Sequence, residues 1–451
     1  MRLIARFAHE QKKYFEIITV YDLKIVKERI NKQTPTLVSI SEEYPASIWF
    51  ERKMLDDFGI NILYGSNKSS LIYHKPMKIG NYPMRKEYKK RHLLYQSETV
   101  FSTVENLNPS IGPTQSYHLE SSQFKFIDKD NTITSFELKT FYKHRGIEKM
   151  LEGLSLQDAK PIVSRISGSN SMAYQLAHLD IELQASKKEL PLSIKQRHMF
   201  FLEFERILNH LFDMANMCQF SNFKDGSFFL MKLQEEGRDV LKKLTGHRYG
   251  FSAIRIDDSI VSIEESYDYL FSLEQELLWF EKWIKNKHSF WRKLLEVGVF
   301  LKKDISDYGL VGLMARSVAL DLDRRNTEEL YRQYDFCKAS EFTGDASARF
   351  KLRLAEIYTS LRLIRPFIKN KVSSLSLGSM IDGEYYSYVE SSSGELMMYM
   401  LITAGKIERF FVRDPTFLNA QLLPYGMNGN SPESLGVILQ SIPLDFSASD
   451  L

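Results

Sequence analysis

Residues 141–184, FYKHRGIEKMLEGLSLQDAKPIVSRISGSNSMAYQLAHLDIELQ, form the stretch around which the rest of the chain is organised. It opens with a dense polar cluster at 143–149 and passes through Pro161 into a Gly/Ser/Asn-rich turn at 164–170, before a helix-like run. A turn of small polar residues between two helical patterns lets the backbone approach a ligand or partner closely. A plain polar elbow between helices is the alternative, and the stretch alone does not separate the two.

The composition is that of an ordinary globular chain. Its 451 residues suffice for two or three domains with a substantial core. The 60 Lys and Arg residues against 57 Asp and Glu leave a net charge of +3, which is too balanced to favour nucleic acid. The N-terminal apolar run is too short for a signal peptide, and no apolar run of about 18 residues predicts a membrane span. We therefore expect any action at a membrane to occur through other subunits.

Cysteine usage limits the redox chemistry of the chain. The two cysteines, Cys218 and Cys337, are far apart and in no paired spacing. This excludes a disulfide scaffold, suits a reducing cytosolic compartment, and leaves too few thiolates for an iron–sulfur cluster or thiolate zinc site on this chain alone. The sequence also has no GxGxxG, GxxxxGKS/T, HExxH or nucleophile-elbow motif, so we expect no NAD or ATP on it.

The N-terminal part predicts a small α/β domain. Strands are expected at 15–21 and 36–40, with a helix at 23–31. A second helix is expected within 44–60, where Gly59 would end it.

A β-hairpin and then helices are predicted for the larger part. Segments 124–127 and 132–138 flank a strong turn signal at 128–131. Helical patterns cover 194–217, 226–244, 263–300, 349–368 and 394–404. The predicted fold class is α+β, in which a small N-terminal α/β domain precedes a large, mostly α-helical domain that begins with the hairpin.

Glu203, Arg206 and His210 share one face of the helix predicted at 194–217, because they are three and four residues apart. The face is either solvated and internally paired, or it is a buried polar network that supports a site. The second alternative requires every member to be satisfied.

Two N-terminal motifs resemble the C-type subunit of complex I. Residues 44–60 carry Trp49, Glu51-Arg52 and the Asp-Phe-Gly sequence at 57–59. The segment PMRK at 83–86 is similar to the terminal Pro-Leu-Arg-Lys of that family.

From Gly112 onward the chain resembles the D-type subunit of complex I and the large subunit of energy-converting nickel–iron hydrogenases. The matching pieces are Gly112-Pro113, 144–149, Arg165, Glu203 with Arg206 and His210, 245–248, 315–317, Gly344-Asp345 with Arg349, Gly394-Glu395 and 413–417. Each piece is weak alone, but together they follow the family's order over nearly the whole chain. Formate hydrogenlyase and hydrogenase-4 large subunits share this C–D fusion.

The resemblance implies a C-type domain at 1–90, a linker at 91–120 and a D-type, hydrogenase-large-subunit-like domain at 121–451. It implies a peripheral subunit on the cytoplasmic side of the inner (cell) membrane. The partners would be an iron–sulfur small subunit and membrane-embedded ion-translocating subunits, with no nucleic acid. Quinone binding, NAD binding and electron transport would belong to the whole complex.

The nickel-ligand positions depart from the hydrogenase pattern. That family supplies thiolates from an Arg-x-Cys-x-x-Cys turn and a C-terminal Asp-Pro-Cys-x-x-Cys. Here Ser167 and Asn170 stand at the first pair of positions, and Asp445 and Ala448 at the second. The loop at 390–394 also lacks the Pro-Arg found near the hydrogenase iron. A nickel–iron centre needs soft thiolates, so we expect no metal on this chain.

The quinone-binding positions of complex I differ as well. That family uses a His in the first hairpin and a Tyr after the conserved Arg. Here His118 is one residue out of register, and Gly168 stands where the Tyr is expected. Tyr117 or His118 could substitute, although a surface His is an equal alternative. Ser167 and Asn170 complete the set expected around a quinone.

The candidate catalytic residues are His144, Glu148 and Arg165. Arg165 matches the Arg that lies against the proximal cluster of the small subunit, where a guanidinium can donate to sulfur. Gly250 lies near the place of the His that accompanies it in complex I. His144 and Glu148 match a cavity wall where the hydrogenases move protons through a Glu. Packing at a helix start is the alternative for this segment.

Two functions follow as hypotheses. The favoured one is a nickel-free subunit that couples electron transfer, from the iron–sulfur partner to a quinone or similar acceptor, to ion translocation. The rival is a catalytically silent subunit that links the small subunit to the membrane subunits. An open polar pocket at Ser167, Asn170 and Asp445 would favour the first, and an apolar, filled core the second. A hard-metal site of Asp445 with His144 or Glu148 is a minor third.

Overall fold

The computed structural model describes residues 1–74, 81–88, 110–115, 120–257, 263–367 and 374–451. Tyr117 and His118, and most of the predicted linker, lie outside the described residues. The fold is α+β, with a β-rich N-terminal part followed by a helical part, as predicted. A β-sheet returns near the C-terminal end.

The N-terminal part packs a helix on an antiparallel sheet. Its elements are β1 (Leu3–Glu10), β2 (Tyr14–Tyr21), β3 (Ile25–Asn31), β4 (Thr36–Val38), α1 (Ser47–Phe58) and β5 (Asn61–Leu63). Strands β1, β2 and β3 pair in that order, and β4 pairs parallel with β5. Helix α1 ends as predicted at Gly59, which has a φ of 70° and donates its N–H to Leu55.

The helix predicted at 23–31 is wrong, because this segment is strand β3. Its Ile25 pairs with Val20 of β2, and most of its side chains are exposed. The β-branched Ile25 and Val26 suit an edge strand better than an isolated turn of helix.

The β-hairpin is confirmed. The elements are β6 (Ser110–Ile111), β7 (Gln123–Lys129) and β8 (Thr132–Lys139). Asp130 and Asn131 both have positive φ, which is the geometry of a tight hairpin turn that Asp and Asn tolerate.

Helices dominate the middle of the chain. The elements are α2 (Ile147–Leu151), α3 (Leu156–Val163), α4 (Ser171–Ser186), α5 (Leu192–Phe220), α6 (Lys224–Thr245), α7 (Tyr267–Lys285), α8 (His288–Trp291), α9 (Lys302–Asp307), α10 (Gly312–Arg316), α11 (Glu329–Gln333) and α12 (Ala346–Ile364). The helices predicted at 194–217, 226–244 and 349–368 are confirmed as α5, α6 and α12. The long pattern at 263–300 is broken, because α7 ends at Lys285. Among the helices of the described ranges, none has the length and apolar character needed to cross a bilayer.

A second antiparallel sheet follows, and the helix predicted at 394–404 is wrong. The elements are β9 (Gly383–Ser391), β10 (Gly394–Thr403), β11 (Lys406–Arg413), α13 (Pro415–Asn419), α14 (Leu423–Met427), α15 (Leu435–Ser441) and α16 (Phe446–Asp450). Strand β10 lies between β9 and β11 and is buried along nearly its whole length. A strand buried on both faces has no polar alternation, so its run of apolar residues resembles a buried helix.

The N-terminal sheet packs directly on the C-terminal sheet. The rings of Phe7 in β1 and Phe411 in β11 stack at 4.2 Å. The guanidinium of Arg413 donates to the backbone oxygen of Ile4 at 3.2 Å. The two ends of the described chain therefore share one core, and a second core lies among α5, α6 and α12.

Candidate functional site

The turn before α4 and the residue before α16 meet in the interior, so the two predicted ligand segments are adjacent. Ser167 Oγ donates to Asp445 Oδ2 at 2.5 Å, and Ser169 Oγ donates to the same oxygen at 2.6 Å. Asp445 Oδ1 accepts from the Ser447 hydroxyl at 2.6 Å and from the Ala448 N–H at 3.1 Å. The carboxylate of Asp445 is therefore surrounded by donors of the protein itself.

Asn170 connects this contact to the turn between β9 and β10. Its backbone N–H donates to Ser167 Oγ at 2.8 Å. Its side-chain oxygen accepts from the Ser392 hydroxyl at 2.7 Å, and its amide nitrogen donates to Ser393 Oγ at 3.2 Å. The term serine cluster is used below for Ser167, Ser169, Asn170, Ser392, Ser393, Asp445 and Ser447.

The serine cluster is filled but polar. It therefore matches neither the open polar pocket nor the apolar, filled core that the two hypotheses require. Ser167 and Asn170 have no exposed surface, and Asp445 is 7% exposed. Hydroxyl and amide groups are poor ligands for a soft metal centre, and here they are bonded to one another. The residues present therefore do not fit a nickel–iron group. In the part of the chain that the structure describes, no group of three or more His, Cys, Asp or Glu side chains is placed to hold a metal ion.

Three further carboxyl groups near Asp445 have raised pKa values. Burial and the charge of Asp445 raise the pKa of Glu120 to about 8, and Glu120 accepts a 2.8 Å hydrogen bond from the backbone of α16. Burial and the charge of Asp445 also raise the pKa of Asp414 to about 6. The carboxyl group of Asp414 accepts a hydrogen bond from the Tyr174 hydroxyl at 3.0 Å. Burial raises the pKa of Asp450 to about 7. The sequence did not indicate Glu120 or Asp450, and it gave Asp414 only within the matching piece 413–417, because the burial of these groups depends on contacts between distant segments.

Glu203, Arg206 and His210 are buried, which decides between their two alternatives. Arg206 Nε donates to Glu203 at 3.0 Å, and His210 Nε2 lies 2.9 Å from Glu356. The term buried ion network is used below for Glu203, Arg206, His210, Arg316, Asp323, Arg325, Glu356 and Glu390, which are joined by ion pairs. A buried polar network is therefore present, but Nδ1 of His210 has no hydrogen-bond partner within the described residues, so the condition that every member be satisfied is not fully met.

Helix α5 links the buried ion network to the serine cluster. The Arg206 guanidinium donates to the backbone oxygens of Glu390 and Ser391, each at 2.7 Å. One turn later along α5, Asn209 donates to the Ser392 hydroxyl at 2.8 Å. These bonds hold the turn between β9 and β10 against Asn170.

His144 and Glu148 make their described contacts away from the serine cluster. His144 Nδ1 lies 2.6 Å from the backbone oxygen of Asp450. Glu148 pairs with Arg409 at 2.9 Å and with Lys53 of α1 at 3.4 Å. Glu148 therefore lies in a contact between the N-terminal part and the rest of the chain. These contacts favour the packing alternative, and among the hydrogen bonds and ion pairs of the described residues neither group is bonded to Asp445.

Arg165 and Gly168 lie at an exposed face beside the serine cluster. The Arg165 guanidinium donates to the backbone oxygen of Pro161 at 2.8 Å and lies 4.8 Å from the centre of the Phe251 ring. The imidazole of His247 stacks on the Phe251 ring at 4.3 Å. Gly168 has open space where a side chain would project. His247, which lies in the matching piece 245–248 but was not a candidate site residue, is thus close to Arg165.

Comparison with known proteins finds two family matches. The 30 kDa subunit family of the respiratory-chain NADH dehydrogenase matches residues 5–92, and its 49 kDa subunit family matches residues 225–379.

Three relatives align with most of this chain. Formate hydrogenlyase subunit 5 of Escherichia coli (strain K12) is 22% identical over 94% of this chain and 79% of its own length. Hydrogenase-4 component G of the same organism is 22% identical over 94% of this chain and 78% of its own length. The C/D subunit of the NADH-quinone oxidoreductase of Phocaeicola vulgatus is 23% identical over 82% of this chain and 78% of its own length. The chain therefore joins a 30 kDa-type part and a 49 kDa-type part of complex I in one polypeptide, and its relatives are subunits of formate hydrogenlyase, hydrogenase-4 and NADH-quinone oxidoreductase.

Proposed function

We propose that this chain is the nickel-free large subunit of a membrane-associated, complex I-like or hydrogenase-4-like oxidoreductase. It couples electron transfer, from a neighbouring iron–sulfur subunit to a quinone or similar acceptor, to ion translocation. The observation that carries the proposal is the hydrogen bond between Ser167 and Asp445, because it occupies the two nickel-ligand segments with groups that satisfy each other.

The nickel-free state follows from the chemistry of the four positions. Ser167 and Asn170 are neutral groups near neutral pH, and Ala448 offers only a methyl group. Soft thiolates are what such a centre requires. Elemental analysis of the complex, purified without chelators, is expected to find nickel far below one atom per chain. About one nickel per chain, retained after dialysis, would refute the proposal.

Electron entry is assigned to the exposed face at Arg165. A guanidinium beside a cluster can donate to its sulfur atoms and raise its reduction potential. The stack of Arg165, Phe251 and His247 offers a cation and two rings to a partner at one place. We assign the iron–sulfur small subunit to this face and the acceptor to the open space beside Gly168. Tyr117 and His118 remain acceptor-binding candidates from the sequence.

Proton coupling is assigned to the carboxyl groups around Asp445. Glu120, Asp414 and Asp450 have pKa values raised to about 8, 6 and 7 by burial, so they exchange protons near neutral pH. Groups with such pKa values cluster at functional sites. Glu148, which pairs with Arg409, is less suited to this role than the sequence indicated.

The silent linking subunit is the second candidate, because the serine cluster is closed. Binding of a quinone analogue to the reconstituted complex separates the two functions. The proposal expects saturable binding that is weakened by Arg165→Ala or His118→Ala and unaffected by the exposed Arg292→Ala. A complex that assembles normally and binds no analogue at any concentration would favour the silent subunit. In either case we assign 1–90, 91–120 and 121–451 to the C-type domain, the linker and the D-type domain.

A further inference from the structure

Helix α7 packs one face into the helical core and turns the opposite face to solvent. On the inner face, Leu273 is buried in the core that α7 shares with α5, α6 and α12. On the flanks, Glu276 lies 3.7 Å from Lys232 of α6, and Glu281 accepts from the Tyr358 hydroxyl of α12 at 3.2 Å. The face between these two flanks therefore points away from both neighbouring helices.

This outer face of α7 carries large apolar side chains. Tyr267, Phe271, Leu278 and Trp279 keep between 41% and 55% of their surface exposed. Single exposed apolar residues are ordinary on a protein surface, whereas several on one helix face indicate a contact surface. The outer face is therefore suited to be covered by another surface.

Charged residues bracket these apolar side chains, acidic at the start of the helix and basic at its end. Asp268 lies in the first turn of α7, and Glu265 precedes it in the short 3₁₀ turn Ile263–Ser266. Lys282 and Lys285 lie in the last turn of α7. All four side chains are exposed, and within the part of the chain that the structure describes none of them forms an ion pair. Their charges are thus available to another molecule.

The apolar and charged positions are symmetric about Gln275, which is exposed near the middle of α7. The symmetric pairs, at four, seven and ten residues from Gln275, are Phe271 with Trp279, Asp268 with Lys282, and Glu265 with Lys285. Steps of four, seven and ten residues keep side chains on one face of an α-helix. Two copies of α7 that lie antiparallel, with the two-fold axis at Gln275, bring each residue opposite its symmetric counterpart. Aromatic rings then meet aromatic rings, and carboxylates meet ammonium groups.

We propose that the outer face of α7 is a dimer contact, at which two copies of this chain pair antiparallel about a two-fold axis through Gln275. The aromatic pairs form the centre of the contact. The charge pairs set its direction, because a parallel arrangement would place acid beside acid and base beside base. A single helix pair is a small interface compared with the roughly 1,200–2,000 Å² of stable complexes, so the dimer is expected to be reversible.

This inference does not depend on the proposed function. The serine cluster and the exposed face at Arg165 lie on other segments of the chain, so pairing through α7 leaves both unchanged. The occupant of the outer face is a second copy, because the charge pattern of the face is complementary to itself.

Sedimentation velocity of the full chain tests the contact. The wild-type mass is expected to rise from that of one chain towards that of two as the concentration passes through the micromolar range. Phe271→Glu places a charge against the ring of Trp279 in the second copy, and it is expected to weaken association by roughly tenfold or more. Because Phe271 is exposed, the substitution leaves the core intact. The matched control is Phe342→Glu, which changes an exposed ring outside α7 and is expected to associate as wild type does.

Charge reversal tests the antiparallel direction. Lys282→Glu alone sets a carboxylate against Asp268 of the second copy, and Asp268→Lys alone sets two ammonium groups against each other. Each single variant is therefore expected to associate several-fold more weakly than wild type. An equal mixture of the two variants is expected to recover wild-type association as a heterodimer, because every contact between these positions again joins opposite charges.

Four results overturn the proposal. The first is a wild-type chain that stays monomeric at about 0.1 mM. The second is association that Phe271→Glu leaves unchanged, which would place the contact on another surface. The third is a mixture of Lys282→Glu and Asp268→Lys that associates no better than either variant alone. The fourth is a monomeric chain that binds phosphatidylglycerol vesicles and loses this binding in Phe271→Glu, which would assign the face to a lipid surface.

Discussion

The hydroxyl of Ser167 donates to the carboxylate of Asp445 at 2.5 Å, although the residues are 278 positions apart in the chain. This bond joins the turn before α4 to the start of α16. In the hydrogenases that the chain resembles, the same two segments are joined through a metal. Here a carboxylate and hydroxyl groups join the two segments directly.

Removal of the Asp445 carboxylate is expected to destabilise the fold. Asp445→Ala leaves the hydroxyls of Ser167, Ser169 and Ser447 without their acceptor, and α16 without its cap. A buried donor left unsatisfied costs about 1–3 kcal/mol, so a loss of roughly 3 kcal/mol or more in the free energy of unfolding is expected. Urea denaturation measures it. The exposed Glu433→Gln is the control, and equal midpoints for the two variants would contradict the expectation.

Arg206→Ala is expected to cost more than the loss of an exposed arginine. It removes one of the two guanidinium groups that pair with Glu203, and the side-chain donor to two backbone oxygens of the β9–β10 turn. The carboxylate of Glu203 keeps its bonds from Arg325 and from the hydroxyls of two neighbours, Tyr331 and Ser360. Breaking a buried ion pair costs about 3–5 kcal/mol, whereas exposed pairs contribute about 0–1 kcal/mol. Arg248→Ala, which removes an exposed pair with Glu235, is the matched control. Chemical denaturation should show that Arg206→Ala lowers the free energy of unfolding several-fold more than Arg248→Ala does. Similar losses in the two variants would show that the buried ion network contributes little to stability.

Arg165→Ala is expected to change partner chemistry without changing stability. The side chain is exposed, and its hydrogen bonds stay within its own turn and at Ser164. The unfolding free energy is therefore expected to fall by less than about 1 kcal/mol. In the assembled complex, the reduction potential of the adjacent cluster is expected to become more negative, because a donor to sulfur is lost. Redox titration followed by electron paramagnetic resonance measures this, with Arg292→Ala as control. An unchanged potential would move the electron-entry face elsewhere.

Local signals made much of the fold predictable. The turn at 128–131 identified the hairpin, and the spacing of Phe201, Phe204 and Leu208 identified α5. Strand β10 was misread because a strand buried on both faces lacks the alternation that identifies strands. The candidate site could not be predicted from local signals. Ser167 and Asp445 were paired only through the resemblance, since no periodicity connects residues so far apart.

The roles of the site residues could not be predicted fully from the sequence, because they depend on burial. The sequence predicted that Glu148 lines a cavity wall. In the structure it forms an ion pair with Arg409, 261 residues away, and so lies in a contact between two distant segments. The raised pKa values of Glu120 and Asp450 likewise depend on burial where residues 120 and 141–143 pack against α16. A sequence pattern gives the type of an ionisable residue but not its solvent exposure, which decides the pKa.

Glu205 caps α4 from the side of α5, and its protonation provides a test by pH. Its two carboxyl oxygens accept from the backbone N–H groups of Met172 and Ala173 at 2.8 and 3.3 Å. Burial raises the pKa of Glu205 from 4.5 to about 8. The folded chain therefore holds a proton that the unfolded chain releases above about pH 4.5. Stability from this group is complete below that pH and is lost as the pH rises towards about 8.

Glu205→Gln is accordingly expected to flatten the dependence of stability on pH. Glutamine keeps an acceptor for Met172 and cannot ionise, so it resembles the protonated acid. One group of this kind contributes a slope of about 1.4 kcal/mol per pH unit. Urea denaturation between about pH 5 and 8 should show a shallower fall in the free energy of unfolding for the variant than for wild type, and a gain at the upper end. The exposed Glu236→Gln should keep the wild-type slope. A variant that loses stability equally at every pH would show that Glu205 is ionised in the folded chain and that its bonds to α4 are those of a carboxylate.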